Sequence, residues 1–256
     1  KKVTDFKDGD KVNCIGMNPP YGGSTGTNAK MNFPTDMRSS ETADLFIVLI
    51  MYRLLKKGRA GVIIPDGFLF GTDGAKLAIK TKLLRDFNLH TIIRLPGSIF
   101  SPYTSIATNI LFFDNEKAKG APEGFSTKET WFYRLDMPEG YKHFSKTKPM
   151  RLEHCKPITD WWKDRKEIFE KSDDGEVISE KSRCFTPQQL LEMDCNFDQC
   201  KFPKEEEEIL PPDELLADYH KKRAALDKKI DKKLEQIQKL LGLDLANPDS
   251  NRGTRS

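Results

Sequence analysis

The chain has 256 residues, of which 37% are hydrophobic, 10% aromatic and 32% charged, with a net charge of +3. That length suits one large domain or two small ones, and the composition supports a packed core. The small charge excess does not announce a strongly basic nucleic-acid binder, and the longest apolar run, Leu45 to Met51, is far too short to cross a bilayer. The opening Lys1 to Asp5 has no apolar leader pattern, so a cytoplasmic protein is expected.

No internal repeat is visible, and the chain divides by pattern into three zones: 1–115, 116–204 and 205–256. In the first, Val12 to Met17 is a short apolar run that stops at a proline pair, which reads as a buried strand ending in a tight turn. Residues 22–39 are rich in Gly, Ser, Thr and Asn and read as a mobile loop. Thr42 to Lys57 has helical spacing and a Lys56-Lys57-Gly58 end. Ala60 to Pro65 is a second buried strand. Gly71 to Gly74 forms a turn and helix cap, and Gly74 to Asn88 an amphipathic helix. Thr91 to Leu95 and Ala107 to Phe113 are two further strands joined by a loop without a helix.

This order predicts an α/β fold whose first three strands are parallel and whose fourth enters antiparallel. The second zone is less regular. It predicts a strand at Trp131 to Leu135, a helix at Ile158 to Phe169 with packed Trp161 and Trp162, and a helix at Phe185 to Met193 capped by Thr186-Pro187. The third opens on a solvated acidic run, Glu205 to Glu208. A long helix from Asp213 to Leu241 follows, with an apolar stripe of Tyr219, Leu226, Ile230, Leu234, Ile237 and Leu241 at coiled-coil-like spacing. Its lysines alternate with Asp227 and Asp231, a pattern of a solvated face more than of a DNA contact. A polar tail, Asn247 to Ser256, ends the chain.

The five cysteines, Cys14, Cys155, Cys184, Cys195 and Cys200, are odd in number and include no CxxC pair, which fits free thiols in a reducing compartment. Cys195, Cys200 and His154-Cys155 match no standard zinc spacing, so no metal is expected.

The chemistry-bearing motif is Asn18-Pro19-Pro20-Tyr21, directly after the first strand. Ligands of open α/β sheets bind at the carboxyl ends of strands. The two prolines stiffen the turn and remove backbone donors. The Pro19 carbonyl and the Asn18 amide oxygen then form two converging acceptors, suited to an exocyclic amine with two hydrogens. Holding both hydrogens draws the nitrogen lone pair out of ring conjugation and makes it a better nucleophile. Tyr21 adds a flat stacking face. The bland alternative is a plain turn, since Asn-Pro and Pro-Pro are common turn dipeptides.

The motif resembles the catalytic tetrapeptide of amino-group methyltransferases that use S-adenosylmethionine. Gly61 to Phe70, Arg94 to Phe100 and Thr108 to Phe113 narrow the resemblance to the modification (M) subunit of type I restriction-modification systems, adenine-N6 DNA methyltransferases. It implies the C-terminal part of a Rossmann-like seven-stranded sheet, parallel but for one antiparallel hairpin strand. It also implies that Asn18 and Pro19 hold the adenine amine, that Pro20 completes the turn, and that Tyr21 stacks on a flipped base. Phe100 and Tyr103, before the antiparallel strand, are candidates for a second stacking ring, although Phe100 could equally plug the core. The implied partners are DNA, a specificity (S) subunit docked on the C-terminal helix, and a restriction (R) subunit.

The family's main cofactor turn lies upstream of this motif and has no counterpart here; Gly22 to Gly26 follows the motif and opens no clear helix. The chain is therefore expected to be about half of a catalytic subunit and inactive alone. Protein-glutamine and ribosomal-RNA methyltransferases share the motif but usually end soon after the antiparallel strand. A non-catalytic docking module is the reading from a different class.

Overall fold

The computed structural model describes residues 1–23, 25–72, 74–171, 175–203 and 212–241. It divides into two units, Lys1–Pro203 and Lys204–Ser256. The first unit is built on one sheet with strands β1 (Val12–Met17), β2 (Leu54–Pro65), β3 (Asn88–Arg94), β4 (Thr108–Asp114), β5 (Thr130–Arg134), β6 (Ile168–Lys171) and β7 (Val177–Phe185), in the order β1-β2-β4-β3-β5-β7-β6. The helices are α1 (Thr27–Lys30), α2 (Thr42–Arg53), α3 (Asp66–Phe70), α4 (Gly74–Asp86), α5 (Lys156–Lys163), α6 (Pro187–Glu192) and, in the second unit, α7 (Pro212–Leu241).

β1 and β2 pair in parallel, and β4 inserts antiparallel between β2 and β3, as the missing crossover helix between β3 and β4 requires. β5 continues the sheet in parallel beside β3. β7 is a second antiparallel strand, and β6 closes the edge beside it. The second zone thus extends the same sheet. Only β5 of these three strands stands out in the sequence, because β6 and β7 are half-exposed and lack apolar runs.

One face carries the main core. Ile47, Val48, Ile50 and Met51 of α2 and Ile79, Leu83 and Leu84 of α4 pack over Val62, Ile64, Ile92, Leu111 and Phe113. A helix buried on nearly every side needs no polar face, hence the almost continuous apolar sequence of α2. On the opposite face Trp161 of α5 packs with Ile93, Tyr133 and Leu135, and Trp162 lies beside them.

Four local differences from the sequence-based expectation have physical causes. β1 is an exposed edge strand rather than a buried one; Val12 is 40% exposed and only Ile15 and Met17 touch the main core. α2 stops at Arg53, not Lys57. Leu54 pairs with Val12, and Asn115 exchanges backbone hydrogen bonds with Lys57 and Gly58, so tertiary pairing captures residues with good helix propensity. Gly58 is demanded there, because a Cβ would stand 2.8 Å from the Leu55 carbonyl oxygen. The helix expected through Phe169 ends at Lys163, where the Trp161 indole donates to the Lys166 carbonyl, and Ile168 and Phe169 enter β6. Residues 22–39 are partly built, with α1, a 3-10 turn over Thr35–Met37 and a buried Met37.

The cap of α6 forms as expected: Thr186 accepts from the Gln189 backbone while the Gln189 side chain accepts from Thr186. The expected cap at Asp73, the acidic run Glu205 to Glu208, the polar tail and the Leu241 side chain lie outside the described residues.

Candidate active site

β1 delivers Asn18 to the carboxyl end of the parallel strands. There the chain turns through Pro19, which is buried, and Pro20, which is exposed, to a half-buried Tyr21. The Tyr21 hydroxyl donates to the Asn18 amide oxygen, which keeps a second lone pair. Burial raises the Tyr21 pKa above its ordinary value, against the opposing effect of that bond. Among the described residues the Pro19 carbonyl accepts no hydrogen bond. Gly22 and Gly23 then adopt positive φ values of 73° and 87°, which L side chains resist. The Gly23 carbonyl accepts from the Thr42 hydroxyl at 3.0 Å, and Thr25 meets the same hydroxyl at 3.2 Å. The start of α2 thereby anchors the segment after the motif.

The loop from β3 to β4 returns to the same place. Phe100 is half-buried, and its ring stands edge-on to Tyr21, with centroids 5.8 Å apart and planes at 65°. Tyr103 is 88% exposed and touches neither ring. Of the two candidates, only Phe100 meets the motif.

Both roots of that loop are held by ions that no sequence motif announces. Arg94, at the end of β3, reaches both carboxylate oxygens of Asp66 at 3.2 Å, Asp198 at 2.5 Å and the Gln199 carbonyl. The Asn109 amide donates to Asp66 at 2.6 Å, and the Asp66 backbone donates to the Ala107 carbonyl. Asp66 thus links the ends of β2, β3 and β4 from the first residue of α3, where the helix dipole favours a carboxylate. The one signal in the sequence is an arginine directly after the apolar pair Ile92-Ile93 at the end of β3. A second buried cluster lies at the start of α2, where Lys76 bonds Glu41 at 2.5 Å and Asp44 at 3.1 Å, and Ser39 donates to Asp44. Burial alone would pull the Lys76 ammonium down, but Glu41 and Asp44 hold it above its ordinary value; burial raises Asp44.

These pairings bear on the S-adenosylmethionine that the sequence resemblance implies. A ribose needs a carboxylate free to accept from its hydroxyls. Asp66 and Asp198 are engaged by Arg94, and Asp44 and Glu41 by Lys76. Each of these four carboxylates thus has a cationic partner, and the Asp44 Oδ1 that accepts no hydrogen bond among the described residues is fully buried. A groove of about 610 Å³, lined by Gly16, Gly61, His90, Phe112, Asp114 and Trp162 among others, lies toward the opposite ends of the strands, away from Asn18.

Among the described residues no group of three or more His, Cys, Asp or Glu side chains is placed to hold a metal ion. Burial pushes the Cys200 thiol up to about 12, and Cys195 is buried against Thr81. No helix among the described residues is long and apolar enough to cross a membrane.

The family model for N-6 DNA methylases matches residues 2–198, which include the whole sheet and both sides of the Tyr21–Phe100 contact. The chain belongs to the N-6 DNA methylase family. It is 41% identical over 238 residues to the type I restriction enzyme EcoEI methylase subunit of Escherichia coli, covering 93% of this chain and 45% of that protein. Its structure resembles a modification subunit of a putative type I restriction enzyme from Vibrio vulnificus YJ016, with 39% identity and a TM-score of 0.58 over 68% of this chain and 38% of that one. A chain from a structural study of type I R-M complex assembly matches with 28% identity and a TM-score of 0.61, over 94% of this chain and 47% of that one. The sequence resemblance to type I modification subunits and the α/β methyltransferase fold both hold. The chain spans about half the length of the relatives it matches.

Proposed function

We propose that this chain supplies the amine-holding, base-clamping part of a type I adenine-N6 DNA methyltransferase. The observation that carries the reading is the convergence of Asn18, Pro19 and Tyr21 with Phe100 at the carboxyl edge of the sheet. The adenine amine donates one hydrogen to the Pro19 carbonyl, which accepts no hydrogen bond among the described residues, and one to the Asn18 amide oxygen, whose second lone pair remains available beside the Tyr21 hydroxyl. The base leaves the duplex to reach this point, at a cost of a few kcal/mol, offset by stacking on Tyr21 with Phe100 as its backing ring. S-adenosylmethionine, when bound, supplies an electrophilic methyl group. The residues that hold it belong to polypeptide packed against the bare edge of β1, so these 256 residues alone bind the cofactor weakly and do not methylate.

In the same reading the 1–115 zone is the catalytic part, 116–204 a family-specific extension, and 205–256 a docking part. Tyr219, Leu226, Ile230, Leu234 and Ile237 of α7 are each about half exposed and form one stripe suited to a specificity subunit. DNA and a restriction subunit complete the assembly, in the cytoplasm.

The test is Asn18→Ala in the methylation-competent assembly. Methyl transfer to adenine should vanish while calorimetry finds S-adenosylmethionine binding nearly unchanged. A variant that still methylates adenine removes the assignment. Tight cofactor binding by the 256-residue chain alone removes the claim that it is incomplete.

A further inference from the structure

Ten consecutive residues, Lys142 to Arg151, contain Lys142, Lys146, Lys148 and Arg151 and no acidic residue, in a chain whose total excess is only +3. Most buried cations of this protein are matched; Arg94 and Arg134, for example, each meet two carboxylates. This segment instead gathers four exposed cations within ten residues. Among the described residues no carboxylate lies within ion-pair distance of Lys142, Lys146 or Lys148, and Arg151 reaches only the exposed Glu153, at 3.9 Å. All four side chains are exposed.

The segment is also held in place. Phe144 is 1% exposed and packs its ring near Tyr141 and His154, at 5.6 and 5.5 Å. Ser145 and Lys148 close a turn with reciprocal backbone bonds of 3.0 and 3.1 Å. The Phe144 backbone N–H donates to the Ser98 hydroxyl at 2.8 Å, two residues before Phe100. The cations therefore ride on a framework bonded to the loop that sets Phe100 against Tyr21.

We propose that Lys142, Lys146, Lys148 and Arg151 seat the phosphodiester backbone of duplex DNA on the flank of the target-base pocket. This deepens the function proposed above and rests on it for the identity of the ligand. A base can be held outside the stack only if the flanking backbone is fixed, and unpaired cations do this by releasing condensed counterions from phosphates. The lysines of α7 are a poorer seat, because Asp227 and Asp231 interrupt them and Arg223 pairs with Asp227.

The test is anisotropy of a labelled, random-sequence DNA duplex titrated with the full 256-residue chain across a salt series. The variant Lys142→Ala/Lys146→Ala/Lys148→Ala should weaken binding at low salt at least about tenfold and flatten the log–log salt slope by about 2 to 3, roughly 0.9 for each phosphate left without its lysine. Lys228→Ala/Lys229→Ala/Lys232→Ala should change neither. Equal slopes for wild type and the loop variant overturn the proposal. So do loss of binding with the α7 variant alone, no duplex binding by the wild type, and loop-dependent binding to phosphatidylserine vesicles that exceeds binding to DNA. The substituted side chains are exposed, so unchanged circular dichroism is expected. Failure here leaves the Asn18→Ala methylation result standing, and failure of that result leaves the salt slopes standing.

Discussion

Phe100 stands edge-on to Tyr21, two rings from distant parts of the chain brought to 5.8 Å by a hairpin whose roots are pinned through Arg94 and Asp66. Edge-to-face pairs are worth about 1 kcal/mol beyond their burial, so Phe100 fixes the tilt of the ring proposed to receive the base. Base–aromatic stacking contributes about 1–3 kcal/mol. Tyr21→Ala should therefore lower methyl transfer by the assembled enzyme about 10- to 100-fold. Phe100→Ala should cost less, and Phe100→Tyr little. Tyr103→Ala should be near neutral, since that ring is in solvent. A Tyr103→Ala defect larger than that of Phe100→Ala would reverse the assignment.

Arg94 is nearly buried between Asp66 and Asp198, with a side chain only 7% exposed. Removing one member of such a network leaves the others unpaired in a poorly solvated place, a change that costs about 3–5 kcal/mol. Arg94→Met should accordingly lower the denaturant midpoint of residues 1–203 strongly, and Asp66→Asn less, because Asn109 and Arg94 can still donate to the remaining oxygen. Equal, small shifts for both would show that the network contributes little.

His90 predicts an acid-side loss of stability. Burial, with Arg165 and Arg59 nearby, pulls its pKa down to about 4 from an ordinary 6.5. At neutral pH it is uncharged, so its 3.7 Å approach to Asp114 is not an ion pair. The depressed value means the unfolded chain takes up this proton first. The stability it preserves is intact above about pH 6.5 and lost progressively as pH falls toward about 4, up to roughly 3 kcal/mol. Asp114, whose pKa burial raises, works in the opposite sense at the lower end of that window. Urea denaturation of wild type and His90→Asn between pH 7 and 4.5 checks this: the variant should show a shallower decline. Parallel curves would contradict it.

Gly58→Ala places a methyl group 2.8 Å from the Leu55 carbonyl and 3.0 Å from that of Asn13. Backbone cannot yield as a flexible side chain would, so β1 and β2 must separate. A loss of about 2 kcal/mol is expected, within the range for overpacking. Gly16→Ala, with nothing within 4 Å, serves as the control and should be close to neutral.

Much of the 1–115 zone was legible from local pattern. The Asn18 to Tyr21 turn after a strand, the strand–helix alternation and the antiparallel return of β4 all follow from short-range chemistry, because a proline pair, an apolar period and the absence of a crossover helix are local facts. The end of α2 was not legible. Leu54 to Gly58 has the residues of a helix terminus, and only pairing with Val12 and Asn115, remote in the chain, draws it into β2. Nor were β6 and β7, half-exposed strands whose place is set by the β5 edge beside them.

By itself, then, the sequence determined the Asn18 to Tyr21 turn at a strand end, the α/β class and the family resemblance. The tertiary structure alone decided which aromatic meets Tyr21, that Asp66 and Arg94 lock the hairpin roots, and that the cations of Lys142 to Arg151 lie bonded through Phe144 to the loop of Phe100. The reason is physical: turn chemistry acts over a few residues, whereas ring contacts, buried ion pairs and the position of exposed charges depend on strands that neighbour one another only once the sheet has formed.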